Sequence, residues 1–357
     1  KKLIDKAPEY GFDDAESCFM NNVSMSLDVL NGEVSSYENS SEQGVSFRGK
    51  INGKMGIANT TSFDDSSIVF LLKEAKNNAS IIDDEDEEFI YCDENNKVMH
   101  FSQLSENYSK NTYENFSTTG LSLEKAILAS DSRIIAVDYL SISCGKGPTI
   151  ILNSKGLDTF KDSDYITVFA EARAEDNGVV KTAGHFWFGN DISKFNEESF
   201  VKVLNKKLTS KFGASSVKSG TYDVIIGNEA FISLISTFFG VFSSYAMQKG
   251  LSLLAGKEGE IIASDKLTIK EIPMYDKALI KVPFDSEGVI TKEKAIIDAG
   301  LFNTALYNLK TAHIAGKEST GNGFRSSYAS SVSISFSNLV IESGSKTFDE
   351  LCEYFFA

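Results

Sequence analysis

The stretch 219–269, SGTYDVIIGNEAFISLISTFFGVFSSYAMQKGLSLLAGKEGEIIASDKLTI, decides how the chain is read. Tyr222, Val224, Ile225 and Ile226 form a short β-prone run, so a strand is expected there, with Asn228 placed to accept from the first free amides of a helix. Phe231, Leu234, Ile235, Phe238, Phe239, Phe242, Tyr245 and Ala246 then recur at three- and four-residue spacing. That spacing predicts one long helix with a single apolar stripe, closed by Lys249-Gly250, and so much aromatic surface marks it as a core element.

A helix of this kind is where a metallopeptidase carries paired histidines and a glutamate that polarises metal-bound water. Residues 230–248 hold no charged and no imidazole side chain. A catalytic metal is therefore not expected on it.

The 357 residues suffice for two or three domains, and 42% apolar with 24% charged residues is ordinary globular composition. A net charge of -15 argues against a nucleic-acid surface, which must neutralise phosphates. The uncharged window 230–248 is interrupted by six serine, threonine and glutamine side chains, too polar for a membrane span. Cys18, Cys92, Cys144 and Cys352 lie far apart, without metal-ligand spacing. Reduced thiols and the lack of a signal-like start lead to a cytoplasmic expectation.

Before the opening stretch the period alternates. Val23, Met25, Leu27 and Val29, then Val45 and Phe47, then Met55 and Ile57 form an antiparallel meander turning at Asn31-Gly32 and Asn52-Gly53. A covering helix follows, with Ile68, Leu71, Leu72, Ala75 and Ala79 on its apolar face. The carboxylates from Asp83 to Glu88 lack the spaced ligands of a calcium loop and read as a solvated linker, continued by polar residues such as Asn95, Asn96 and Asn107. A short helix at 122–130, strands at 134–143, 149–152, 165–174 and 179–188, and a helix capped by Asn196 come next. His185 within the last strand reads as a packed residue rather than a ligand. The expected class is α+β: an N-terminal meander with covering helices at 1–82, a linker at 83–120, a strand-rich middle domain at 121–214 and a mixed domain at 215–357.

Gly250 to Glu258 has five residues between its glycines where a phosphate loop has four, and Gly321-Asn322-Gly323 reaches Ser326 where a dinucleotide fingerprint needs its third glycine. Nucleotide binding is unsupported. The loop Thr320, Gly321, Asn322, Gly323, Phe324, Arg325 permits close approach of another backbone, and Arg325 offers a planar fork to a carboxylate. It serves equally as a peptide-contacting loop or a structural turn. Asp285 and Glu287, two residues apart, could form an acid-base pair or a polar turn before Gly288.

Several stretches together resemble the TldD/PmbA family: Lys249-Gly250-Leu251-Ser252, Gly256 to Glu260, Pro283 to Gly288, Thr311-Ala312 and Ser319 to Arg325, with Gly44, Arg48, Gly53 and Gly56 in the meander. The resemblance covers nearly the whole chain, and the segment around Gly321 is its most specific part. It implies paired cytoplasmic subunits of a zinc peptidase that trims peptides, also described as a modulator of DNA gyrase. The family's catalytic TldD-type subunit carries His-Glu-x-x-x-His, and those positions fall here on Ile235, Ser236 and Gly240. The resemblance is thus to the PmbA (TldE) subunit, which implies no catalytic residue and no metal in this chain and zinc only in a TldD-type partner; Thr320, Gly321, Asn322, Gly323 and Arg325 of the glycine loop are the candidate substrate contacts. Pairing with that partner, or a homodimer, is expected. A stand-alone adaptor of the gyrase-modulator kind and a hydrolase using Asp285 and Glu287 stay open beside it.

Overall fold

A computed structural model describes residues 1–83, 87–93 and 98–356. Asp84, Glu85 and Asp86 of the acidic run, and Asn95 and Asn96 of the polar stretch, lie outside the described residues.

Helix α1 (Lys2–Lys6) runs into a 3-10 turn at Ala7–Tyr10. Strands β1 (Asp14–Leu30), β2 (Glu33–Ile51) and β3 (Lys54–Thr60) then form the expected meander. Asn31 and Asn52 take φ of 55° and 52°, the left-handed values that two-residue hairpin turns require. Helix α2 (Asp65–Ser80) begins where Asp64 accepts from the Ser67 amide at 2.7 Å, and it buries Leu71, Leu72 and Ala75 in one cluster with Val45 and Phe47, with Ala79 buried as well.

Strand β4 (Val98–Gln103) lies in the stretch read as linker, and α3 (Tyr113–Ala129) starts nine residues before the helix expected at 122. Thr112 caps it, a signal overlooked among the polar neighbours. Strands β5 (Ile134–Asn153), β6 (Asp158–Asp176) and β7 (Val179–Gly189) and helix α4 (Glu197–Thr209), capped by Asn196, follow the expected order.

Among the described residues these strands make one seven-stranded sheet in the order β3-β2-β1-β5-β6-β4, with β7 also on β6. The long β1–β5 ladder fuses the first and middle units. Helices α3 and α4 seal it, burying Phe116, Leu123, Phe200 and Leu204 on Leu27, Ile142 and Val168.

The opening stretch departs from expectation. Residues 222–226 form no strand and pair in no ladder, and Tyr222 and Val224 are exposed. The long helix is broken: α5 (Asn228–Phe238), a 3-10 turn at Phe239–Phe242, then α6 (Ser244–Gln248). Gly227 holds the N-cap position assigned to Asn228, and no residue of α5 is buried. The break has a backbone cause. Leu306 donates to the Phe242 carbonyl at 2.9 Å and accepts from the Ser244 amide at 3.0 Å, which pulls 242–244 out of helical pairing, and Ser243 caps the new helix.

Strands β8 (Ile269–Glu271), β9 (Lys294–Asp298) and β10 (Leu301–Phe302), helix α7 (Leu309–Ile314), strands β11 (Gly323–Phe324), β12 (Ser333–Ile334) and β13 (Leu339–Ile341), and helix α8 (Phe348–Phe356) complete the chain. A four-stranded sheet, β10-β9-β8-β13, carries a core of Phe239, Phe242, Ile297, Phe302 and Leu306. Phe284 docks this unit on the large sheet through Cys18, Ile151 and Leu157. Among the described residues no helix is long and apolar enough to cross a membrane.

Candidate functional site

The two units meet at a buried set of charges. Glu16 on β1 stands opposite Arg48 on β2 in the antiparallel register, and both are sealed from water. Arg48 Nη1 donates to Glu16 Oε1 at 3.4 Å. Arg325 reaches the same oxygen from the C-terminal unit at 2.7 Å, the shorter and better formed contact. Its backbone amide donates to Ser286 Oγ at 3.1 Å.

Beneath this pair lies the turn that begins at Phe284. Asp285 Oδ1 accepts from the amides of Glu287 at 2.9 Å and Val289 at 3.0 Å, and Oδ2 accepts from Gly323 at 2.9 Å. These bonds close the turn on itself and onto the glycine loop, and Asp285 has no exposed surface. Glu287 Oε2 accepts from the Leu309 amide at 2.9 Å. A Cβ on Gly323 would lie 2.4 Å from that same oxygen, so only glycine lets the loop pass so close. Burial raises both carboxyls above their ordinary range, and for Glu287 the charge of Asp285 adds to it. Lys161 on β6 donates to the Phe284 carbonyl at 2.8 Å, and burial pushes its ammonium down to about 8.

The five loop residues marked by the sequence divide. Asn322 is fully buried and uses its amide internally, donating to Glu271 at 2.9 Å and to the Ser335 carbonyl at 2.8 Å while accepting from Thr320 Oγ1 at 2.7 Å. Gly321 and Gly323 are buried beside it. Thr320 lines an open cleft of about 940 Å³ shared with Tyr91, Ile290, Lys294, His313 and Lys317. Arg325 lines a smaller pocket of about 100 Å³ with Arg48 and Glu287. The loop therefore joins two cavities by its ends and the core by its middle. Sequence reasoning did not mark Glu16, Arg48 or Lys161 as part of this set. Alternation with Val23, Met25 and Leu27 and with Val45 and Phe47 assigns Glu16 and Arg48 to the opposite, solvent face of the meander, so no local pattern marked them.

Ile235 and Ser236 face an apolar groove of about 330 Å³ with Ile232, Tyr275, Phe336 and Leu339. Gly240 sits in the 3-10 turn that ends α5. A methyl-bearing side chain, one hydroxyl and no side chain do not fit zinc, which takes thiolate, imidazole or carboxylate. Among the described residues no three His, Cys, Asp or Glu side chains form a set that could hold a metal ion.

Three family models match the chain in tandem: PmbA/TldA metallopeptidase domain 1 at 15–79, the central domain at 110–230 and the C-terminal domain at 219–355. The chain belongs to the PmbA/TldD family. An uncharacterized protein of Methanocaldococcus jannaschii is 25% identical over 99% of this chain and 80% of its own length. Metalloprotease PmbA of Escherichia coli O157:H7 is 26% identical over 62% of this chain and only 50% of that protein. Among solved structures, a candidate modulator of a DNA gyrase from Thermotoga maritima superposes with a TM-score of 0.87 at 27% identity, covering 99% of this chain and 79% of that one. TldE from Thermococcus kodakarensis, at 23% identity, shares the fold with a TM-score of 0.85 over 98% of this chain and 79% of its own. The resemblance read from the glycine loop and its neighbours thus holds across the PmbA/TldD fold.

Proposed function

We propose that this PmbA/TldD-family chain is a non-catalytic, PmbA-type subunit of a zinc metallopeptidase that matures or degrades small and unfolded peptides in the cytoplasm. It pairs with a TldD-type subunit, which supplies the zinc, and contributes to the shared peptide chamber. One observation carries the reading: within a metallopeptidase family, the positions matching the catalytic motif are Ile235, Ser236 and Gly240, none of which is a zinc ligand in this setting. Thr320, at the rim of the large cleft, is the loop residue best placed to meet a peptide, whereas Arg325 is engaged by Glu16.

Native purification from the source, followed by mass determination and metal analysis, tests the proposal. A companion bearing His-Glu-x-x-x-His and holding the zinc is the expected result. Peptide hydrolysis by this chain alone, abolished in Asp285→Asn, would replace the reading with a hydrolase. A gyrase-type companion with no peptidase would replace it with an adaptor.

A further inference from the structure

The small pocket between the two units is lined by Arg48, Glu287, Lys310, Arg325, Tyr328 and Ser331. At about 100 Å³ it holds roughly three waters or one small polar group. Tyr328 packs its ring against β2 at Gly44, where a Cβ would come within 2.5 Å, and Ser331 is exposed.

Arg48 is the unusual member. Its side chain is 5% exposed, its contacts to Glu16 and Glu88 are both long at 3.4 Å, and its Nε has no hydrogen-bond partner. Arg325, the fork that the sequence offered to a carboxylate, is already committed to Glu16. Glu16 Oε2 also lacks a partner, so the network is one donor and one acceptor short of closure. A buried guanidinium left with unmade bonds is costly, and a planar anion is the group whose geometry matches it.

We propose that this pocket is a carboxylate-binding site in which Arg48, which lines the cavity with Lys310 and Glu287, holds the carboxylate of a small ligand or the free C-terminal end of a peptide. A phosphate dianion fits less well, because Glu88 already lies 3.4 Å from Arg48 and 3.6 Å from Lys310. Burial and the charge of Asp285 keep Glu287, which lines the pocket, protonated to higher pH than an ordinary glutamate, which lessens its repulsion of an anion there. The inference uses the peptide reading only for the choice of probe.

The purified chain is titrated calorimetrically with N-acetyl-Ala-Ala as the free acid, with its amide, and with acetate. The free acid is expected to bind saturably and the amide about ten-fold or more weaker. Acetate binding as tightly as the dipeptide also supports the site and assigns it to free small carboxylates. Arg48→Met is expected to abolish binding. Since Arg48 is buried and its removal could unfold the chain, Ser331→Trp at the exposed mouth is the second variant, expected to weaken binding about ten-fold or more with the ion network intact. Equal binding of acid and amide, binding that survives Ser331→Trp, or no saturable binding of any probe overturns the proposal, the last meaning that water alone closes the network. No partner enters this assay, so its failure leaves the subunit reading standing.

Discussion

Arg325 Nη2 lies 2.7 Å from Glu16 Oε1 across 309 residues of sequence, and with side chains 3% and 1% exposed the two form a buried ion pair that ties the last unit to the first strand. Glu16 serves Arg48 as well, at 3.4 Å, and Glu88 approaches Arg48 at the same distance from the other side. Removing Arg325 leaves buried Glu16 with only the long 3.4 Å contact to Arg48, a poorly compensated charge.

Arg325→Met is accordingly expected to lower unfolding stability by about 3–5 kcal/mol. Glu16→Leu combined with Arg325→Met is expected to cost less than the sum of the single changes, because the second removes the charge that the first strands. Urea denaturation of the four proteins of the cycle measures this. Additive losses would show that the two residues do not depend on each other.

Gly323→Ala places a methyl 2.4 Å from Glu287 Oε2 and must shift either the loop or the carboxyl. The expected cost is roughly 1–3 kcal/mol. Glu287→Ala should remove most of that penalty, so a cycle of the two is expected to show coupling above roughly 0.5 kcal/mol. A Gly323→Ala protein as stable as the parent would contradict the close packing described for the loop.

Glu287 has a folded pKa above its ordinary 4.5, raised first by burial and then by Asp285. The unfolded chain therefore releases this proton first and binds fewer protons than the folded one as pH rises above 4.5. Stability is expected to fall with rising pH from that point until Glu287 ionises in the folded state. Glu287→Gln should make the fall shallower, leaving the smaller contribution of Asp285, which burial shifts in the same direction. Denaturation midpoints across the pH range for both proteins decide it, and identical slopes would remove Glu287 as the source.

Asn322 donates to both oxygens of Glu271, at 3.1 and 2.9 Å, while Lys294 supplies the charge at 2.8 Å. Asn322→Asp keeps the shape but replaces the donor with a second carboxylate. A loss of roughly 1–3 kcal/mol is expected, larger at pH 8 than at pH 5 because the new acid repels Glu271 only when ionised. Thermal melts at the two pH values test it. Asn322→Ala, which leaves Glu271 short of a donor without adding charge, should show no comparable pH dependence.

Local rules were enough wherever the structure depends on neighbours in sequence. The Asn-Gly turns, the cap at Asn196 and the apolar face of α2 all appear where the residues place them, because φ preference, capping geometry and helical spacing act within a few residues. The same rules misread 219–248. Apolar spacing specifies a helical face but not what covers it, and the partner that interrupts the helix, Leu306, lies about sixty residues away in the chain.

The sequence by itself determined the α+β class, the N-terminal meander with its covering helix, and the lack of any charged or imidazole side chain at 230–248. Only the tertiary structure decided that Glu16, Arg48, Glu287 and Arg325 share one buried site, and that the glycine loop turns its middle inward to Asp285 and Glu271. The physical reason is range. A turn or cap is settled by bonds a few residues long, whereas a buried charge is tolerated only where distant segments bring its counter-charge, and no local pattern records which segments those are.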